Sequence, residues 1–298
     1  MHIDRRNFLL TGSLVAGAVA SSRLLLAAAG SRFSSLPASL AKLEKDCEGR
    51  LGVAVLDTGS GESSGYRVDE RFAMCSTFKM LLAAAVLQRV DAGKESLDRM
   101  VQMPTTGFLF NSPLTQPHAG GKMSVSDLCV AILTRSDNTG ANLLLETIGG
   151  PAGITQFARS LGDTITRLDR VETALNEALP GDPRDTTAPA AMARNWHTLL
   201  LGDTLSAASR KQLTDWLIAN QTGGERLRAG FPAGWTVGDK TGSNGGNTTN
   251  DVAILWPRHQ APVIVAAYLT SCAGTEAKRN AVLAEVGRQV AKCIQPAQ

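Results

Sequence analysis

Ser76-Thr77-Phe78-Lys79-Met80-Leu81-Leu82-Ala83-Ala84-Ala85-Val86-Leu87-Gln88-Arg89-Val90 is the stretch on which the fold turns. It is an apolar run that a serine opens and Gly93 closes, which predicts a helix over 76–90. Further helical patterns follow at 126–148, 151–161, 188–201 and 207–219. Outside this block the pattern changes to that of strands. Leu51 to Leu56 reads as a buried strand, with Gly65-Tyr66-Arg67-Val68 as its hairpin partner across Gly59-Ser60-Gly61. Strand patterns return at Trp235–Ser243, Val252–Trp256 and Val263–Leu269, before a last helix from about Thr275 to Cys293. Strands at both ends and helices between them predict an α+β fold. An antiparallel sheet is built from both ends of the chain and covered by the terminal helices, with an all-helical domain inserted. The expected boundaries are 30–72 with 216–298 for the sheet domain, and 73–215 for the helical one.

The chain has 298 residues, 43% of them hydrophobic and 19% charged, a mix that excludes disordered and fibrous classes. The first residues read as an address. Asp4-Arg5-Arg6-Asn7-Phe8-Leu9-Leu10 resembles a twin-arginine export signal. An apolar run follows to Ala20, and Ala27-Ala28-Ala29 offers a small-residue cleavage site. Residues 1–29 are therefore expected to be a signal peptide and the mature protein periplasmic. Arg5, Arg6 and Arg23 against Asp4 give this leader a charge of +2, so its loss takes the net charge from +3 to +1. A near-neutral mature chain gives no electrostatic case for binding nucleic acid or a membrane surface. No other segment is apolar over the ~20 residues that a bilayer span needs. Cys47, Cys75, Cys129, Cys272 and Cys293 contain no Cys-x-x-Cys pair, and the four histidines are scattered, so no metal or cofactor is expected. Cys47 precedes the first strand and Cys272 follows the last. If those strands pair, a bridge between the two becomes possible; the alternative is separate thiols.

Three signatures carry the chemistry. Ser76 and Lys79, three apart at a helix start, share one face. The positive helix end stabilises negative charge near Ser76 and favours an unprotonated Lys79. Ser136-Asp137-Asn138 falls between two helical segments, where a serine and an amide can face one crevice; Asp137 suits a helix cap. Lys240-Thr241-Gly242-Ser243 lies on a strand, with Gly242 allowing a ligand backbone to come close. The segment 167–185 lacks periodicity and contains Pro180, Gly181 and Pro183, as functional loops do. Within it, Glu172 and Asn176 can hold one water between them.

In this order, the three signatures resemble those of class A serine β-lactamases, and the resemblance extends along nearly the whole chain. It implies a five-stranded sheet domain, an all-α domain with the crevice between them, and an Ω-loop at about 167–185. It also implies a monomer that hydrolyses a small-molecule β-lactam through an acyl-enzyme. In that scheme Ser76 is the nucleophile and Glu172, with Asn176, activates the deacylating water. Ser136 passes a proton to the leaving nitrogen, and Asn138 holds the substrate's side-chain amide. Lys240, Thr241 and Ser243 bind its carboxylate, and the N–H groups of Ser76 and Ser243 form an oxyanion hole. Arg170 and Asp185 match the ion pair that pins the loop. The resemblance leaves open whether Lys79 or Glu172 activates Ser76.

The chain departs from the family pattern at several positions. Thr173 follows the glutamate where relatives often carry proline on a cis bond. Asn111 stands where an aromatic gatekeeper is common. Ala83 faces Cys129 where a disulfide partner is usual. Cys75 matches carbapenem-hydrolysing relatives, but Asn244 replaces their second cysteine. Gly245 and Gly246 leave the strand edge open to bulky oxyimino cephalosporins. Thr249 replaces an arginine that grips the substrate's carboxylate. Arg226 is the candidate to replace it, since a guanidinium binds carboxylates bidentately; its alternative is a surface charge paired with Glu225. Two sister functions compete, a peptidoglycan DD-peptidase and a β-lactam sensor, and Glu172 with Asn176 favours hydrolysis over both.

Overall fold

The computed structural model describes residues 31–295, and the expected leader lies outside them. The helices are α1 Leu36–Cys47, α2 Phe78–Asp91, α3 Val125–Thr134, α4 Asn138–Thr147, α5 Gly150–Ser160, α6 Pro189–Leu201, α7 Ala207–Ile218, α8 Leu227–Gly230 and α9 Glu276–Ile294. The strands are β1 Arg50–Asp57, β2 Ser63–Tyr66, β3 Phe72–Ala73, β4 Met100–Gln102, β5 Lys122–Ser124, β6 Thr186–Thr187, β7 Thr236–Ser243, β8 Thr249–Trp256 and β9 Val263–Thr270. Five of them form one antiparallel sheet in the order β2-β1-β9-β8-β7. The strand that follows the N-terminal helix thus pairs with the last strand of the chain, from Arg50 opposite Thr270 to Asp57 opposite Val263.

Period-2 alternation gives this sheet two apolar faces. Ala54, Val252, Ile254, Ile264, Ala266 and Tyr268 face a core shared with α2, α3, α4 and α6. Val53, Val55, Ala253, Leu255, Val265 and Ala267 face a second core built with α1 and α9. Every residue of α2 from Phe78 to Leu87 is buried, so this helix is the axis of the helical layer rather than an amphipathic cover.

The run 126–148 divides at Arg135-Ser136-Asp137 into α3 and α4, which puts the Ser136-Asp137-Asn138 signature at the junction expected of it, while three other details differ from the sequence reading. Asp137 caps α4 by accepting from Gly140 N. The hairpin partner is Ser63–Tyr66 and stops there because Arg67, at φ +48°, turns the chain away. β8 begins three residues early, at Thr249. Its polar start was masked because Thr249, Asn250 and Asp251 are fully buried by polar partners rather than apolar ones. The helix expected from Ser76 opens as a 3-10 turn, Cys75–Thr77, with α2 starting at Phe78.

The antiparallel ends do meet. Cys272 Sγ donates to the Cys47 carbonyl at 3.4 Å, yet both thiols are free, as are Cys75, Cys129 and Cys293. Among the described residues no helix is long and apolar enough to cross a membrane.

Candidate active site

Ser76 lies in the 3-10 turn ahead of α2, and Lys79 lies in the first turn of α2. The sheet holds that turn in place: Asn250 of β8 donates through Nδ2 to the carbonyls of Ala73 (2.9 Å) and Met74 (3.1 Å). Gly242 of β7 packs against the same turn. A Cβ there would stand 2.7 Å from Met74 O, so the close approach this glycine permits is the protein's own backbone, not a ligand's. Cys75, Ser136, Asn111 and Asp185 take φ of +46°, +56°, +58° and +57°, a region that residues with a side chain rarely enter. Such conformations cluster where the surrounding structure forces side chains toward one point.

The charged groups converge on that point. Lys79 Nζ is 2.9 Å from Glu172 Oε1 and donates to Asn138 Oδ1 (2.6 Å) and Ser136 O (2.8 Å). Ser76 Oγ donates to the same Glu172 Oε1 at 3.3 Å, while Asn176 Nδ2 donates to Glu172 Oε2 at 2.6 Å. Ser136 Oγ lies between the two lysines, 3.4 Å from Lys79 Nζ and 3.2 Å from Lys240 Nζ. Both lysines are fully buried. Burial lowers the pKa of Lys79, and the Glu172 carboxylate opposes that fall. Lys240 has only neutral partners in contact, Ser136 Oγ and Thr241 O. Burial first, then the charge of Lys79, pushes its pKa down to about 7. The Cys75 thiol, buried beside Glu172, is pushed up to about 12 and is inert as a nucleophile.

The loop carrying Glu172 is fixed at several points. Arg170 Nε donates to Asp185 Oδ2 at 2.6 Å, and Asp185 Oδ1 accepts the N–H groups of Asp169 and Arg170. Arg170 also reaches Glu177. The Glu172–Thr173 peptide is cis. Asn142 of α4 brackets Glu172: its Oδ1 accepts from Glu172 N and its Nδ2 donates to Glu172 O, both at 2.9 Å. Asn142 was not singled out from the sequence. Its one signal is its place four residues after Asn138, on the same face of α4.

On the sheet side, Thr241 Oγ1 shares a 2.6 Å hydrogen bond with Thr222 Oγ1. Arg226 is buried behind β7. It donates through Nε to Asn280 Oδ1 (3.0 Å) and through Nη1 to the carbonyls of Gly242 (3.0 Å) and Asn250 (2.9 Å). Its carboxylate partner is Glu276, not Glu225, which instead accepts from Asn280. Thr249 Oγ1 accepts from Arg279 Nε at 3.0 Å. At the opposite lip, Asn111 is a clamp, donating to Ser136 O at 2.9 Å. The neighbouring Phe110 is 87% exposed, and its carbonyl accepts from Asn138 Nδ2 at 2.8 Å. Asn138 Nδ2 makes this one hydrogen bond among the described residues, out of the two it can donate. Ser76, Asn138, Thr241, Ser243, Arg226 and Gly245 all line one crevice of about 930 Å³.

A serine donating to a buried carboxylate, with two buried lysines flanking a second serine, defines a serine acyl-transfer enzyme. The model of the Beta-lactamase enzyme family matches residues 35–294, and the chain belongs to this family; it is a class A β-lactamase. Beta-lactamase L2 of Stenotrophomonas maltophilia is 48% identical over 296 residues, covering 96% of this chain and 97% of the relative. Beta-lactamase CTX-M-8 of Citrobacter amalonaticus is 43% identical over 289 residues, covering 97% and 98%. The solved structure of the last common ancestor of Gram-negative bacteria (GNCA4) class A β-lactamase superposes with a TM-score of 0.86 at 60% identity. It covers 88% of this chain and 100% of that one.

Proposed function

We propose that this enzyme hydrolyses the amide bond of penicillins and cephalosporins through an acyl-enzyme on Ser76, and so confers β-lactam resistance. Ser76 Oγ attacks the β-lactam carbonyl and its proton passes to Lys79 of the Lys79–Glu172 pair, whose shared Glu172 Oε1 it already contacts at 3.3 Å. Glu172 thus stays ionised for deacylation, and acylation survives its replacement. The N–H groups of Ser76 and Ser243 receive the oxyanion; such a donor is worth about 2.7–4 kcal/mol. As the C–N bond breaks, Ser136 gives its proton to the nitrogen and recovers one from Lys79, whose Nζ lies 3.4 Å from its Oγ. Glu172 then takes a proton from water held with Asn176. The hydroxide attacks the ester, and Ser76 leaves with its proton restored. Asn138 holds the substrate's side-chain amide, and Lys240, Thr241, Ser243 and Arg226 hold its carboxylate.

One observation supports this reading above the others: a single Glu172 carboxylate joins nucleophile, lysine and loop amide. The alternatives, transpeptidase and sensor, need an acyl-enzyme that persists. Substitution Glu172→Gln is therefore expected to leave a lasting adduct on Ser76, read by mass spectrometry after mixing with a penicillin. Turnover at the wild-type rate would overturn the assignment.

The proposal extends to the whole protein. The sheet domain comprises 30–72 and 216–298, and the helical domain 73–215. The enzyme is a periplasmic monomer exported by the twin-arginine route. Gly245, where no atom lies within 4 Å of an added Cβ, leaves room for oxyimino cephalosporins.

A further inference from the structure

Arg226 has five N–H donors in a fixed fork. Nε serves Asn280, and both Nη1 hydrogens serve the carbonyls of Gly242 and Asn250. Only Nη2 remains to meet a ligand in the crevice, and Glu276 Oε1 accepts from it at 3.2 Å. Glu276 is the first residue of α9, its side chain is 61% exposed, and it lines the crevice beside Thr241 and Ser243. A carboxylate in the first turn of a helix is ordinary. This one, however, takes one of the two Nη2 hydrogens, leaving a single N–H and a neutralised charge at the only end of the arginine that the substrate's carboxylate can reach.

We infer that Glu276 is a displaceable counter-ion that competes with the substrate's carboxylate for Arg226 Nη2, and so sets KM for anionic β-lactams. The inference rests on Arg226 being part of the carboxylate subsite. Bound substrate replaces one charge-assisted hydrogen bond by another, while Nη1 and Nε keep Arg226 seated. Because Glu276 is largely exposed, water solvates it once released, and the exchange costs little. Glu276 thus adds a barrier to anions without affecting a neutral ligand, and it acts on binding rather than on the chemical step.

Steady-state kinetics on benzylpenicillin and on its neutral methyl ester test this. Exposed ion pairs are weak, so Glu276→Gln should lower KM for benzylpenicillin about two- to fivefold with kcat unchanged. The ester's KM should stay the same, and the difference should shrink in ~1 M salt, where the Debye length is about 3 Å. Asp46→Asn makes the same change in net charge on α1, at a side chain paired only with Lys42, and should leave both values unchanged. On an Arg226→Ala background the Glu276→Gln effect should vanish. An unchanged KM for benzylpenicillin in Glu276→Gln, or an equal fall for the ester, would overturn the counter-ion role. If Arg226→Ala alone leaves KM unchanged, the subsite reading itself fails. Arg226→Ala also frees two strand carbonyls and can fail to fold, but the arms using Glu276→Gln, the ester and Asp46→Asn do not depend on it.

Discussion

The two walls of the crevice each bury a lysine, and the lysines differ in what they face. Lys79, on the helical wall, is 2.9 Å from Glu172 and surrounded by oxygen acceptors. Lys240, on the edge strand of the sheet, contacts a hydroxyl and a carbonyl but no carboxylate. Burial penalises both charges in the same direction. The difference is that one ammonium already has its counter-ion and the other awaits one. On the proposed mechanism the paired lysine handles protons inside the site, and the unpaired one attracts an anion to it. The same dry environment therefore yields a chemical wall and a binding wall.

The largest effect should come from breaking the paired wall. Lys79→Ala leaves Glu172 as an uncompensated buried charge, which costs about 3–5 kcal/mol. Denaturant unfolding should show that loss, together with loss of acylation. A mild, surface-like loss would mean that the pair is not a unit.

The binding wall should respond to pH. Lys240 is protonated below its pKa of about 7 and neutral above it. The substrate's carboxylate is ionised throughout, so attraction fades as pH rises and KM should climb above pH 7. A charge-assisted bond of about 1.5–3 kcal/mol sets the scale. Lys240→Arg stays charged and should flatten that climb; a wild-type KM indifferent to pH from 6 to 9 would remove Lys240 from the binding wall.

The smallest effect should be at Asn142, which touches no reacting atom but holds both backbone groups of Glu172. It is a positioning residue. Asn142→Ala removes two hydrogen bonds of about 0.5–1.5 kcal/mol each. It should lower kcat for deacylation while KM stays near wild type, with the acyl-enzyme becoming visible by mass spectrometry. A rise in KM alone would place Asn142 elsewhere in the account.

How much of this the sequence revealed follows from how each residue acts. Ser76 with Lys79, and Lys240 with Thr241 and Ser243, are close neighbours in one helix-opening turn and one strand, so their grouping is written in the chain. The alternation of β9 and the apolar run of α2 are local in the same sense. Asn142 acts on a residue 30 positions away, and Asn250 on carbonyls 177 and 176 positions away. Neither has a periodic signature, and a single asparagine in a helix or strand reads as incidental. Gly242 was read as a ligand approach because a strand glycine does not say what approaches it, and only packing identifies Met74 O. The same limit hid Glu276, fifty positions from Arg226, while the adjacent Glu225 looked like the natural partner. Phe110 has no sequence signal of its own beside Asn111; its exposure at the lip belongs to the loop's path, not to its residue type.

The division between the walls is tested most directly by time-resolved mass spectrometry of Ser76 after mixing with a penicillin, comparing Glu172→Gln with Lys240→Ala. The account predicts that Glu172→Gln accumulates a Ser76 adduct at ordinary substrate concentrations and retains it. Lys240→Ala should show no accumulation, requiring higher substrate to react but then releasing product normally. A persistent adduct in Lys240→Ala, or rapid release in Glu172→Gln, would contradict it.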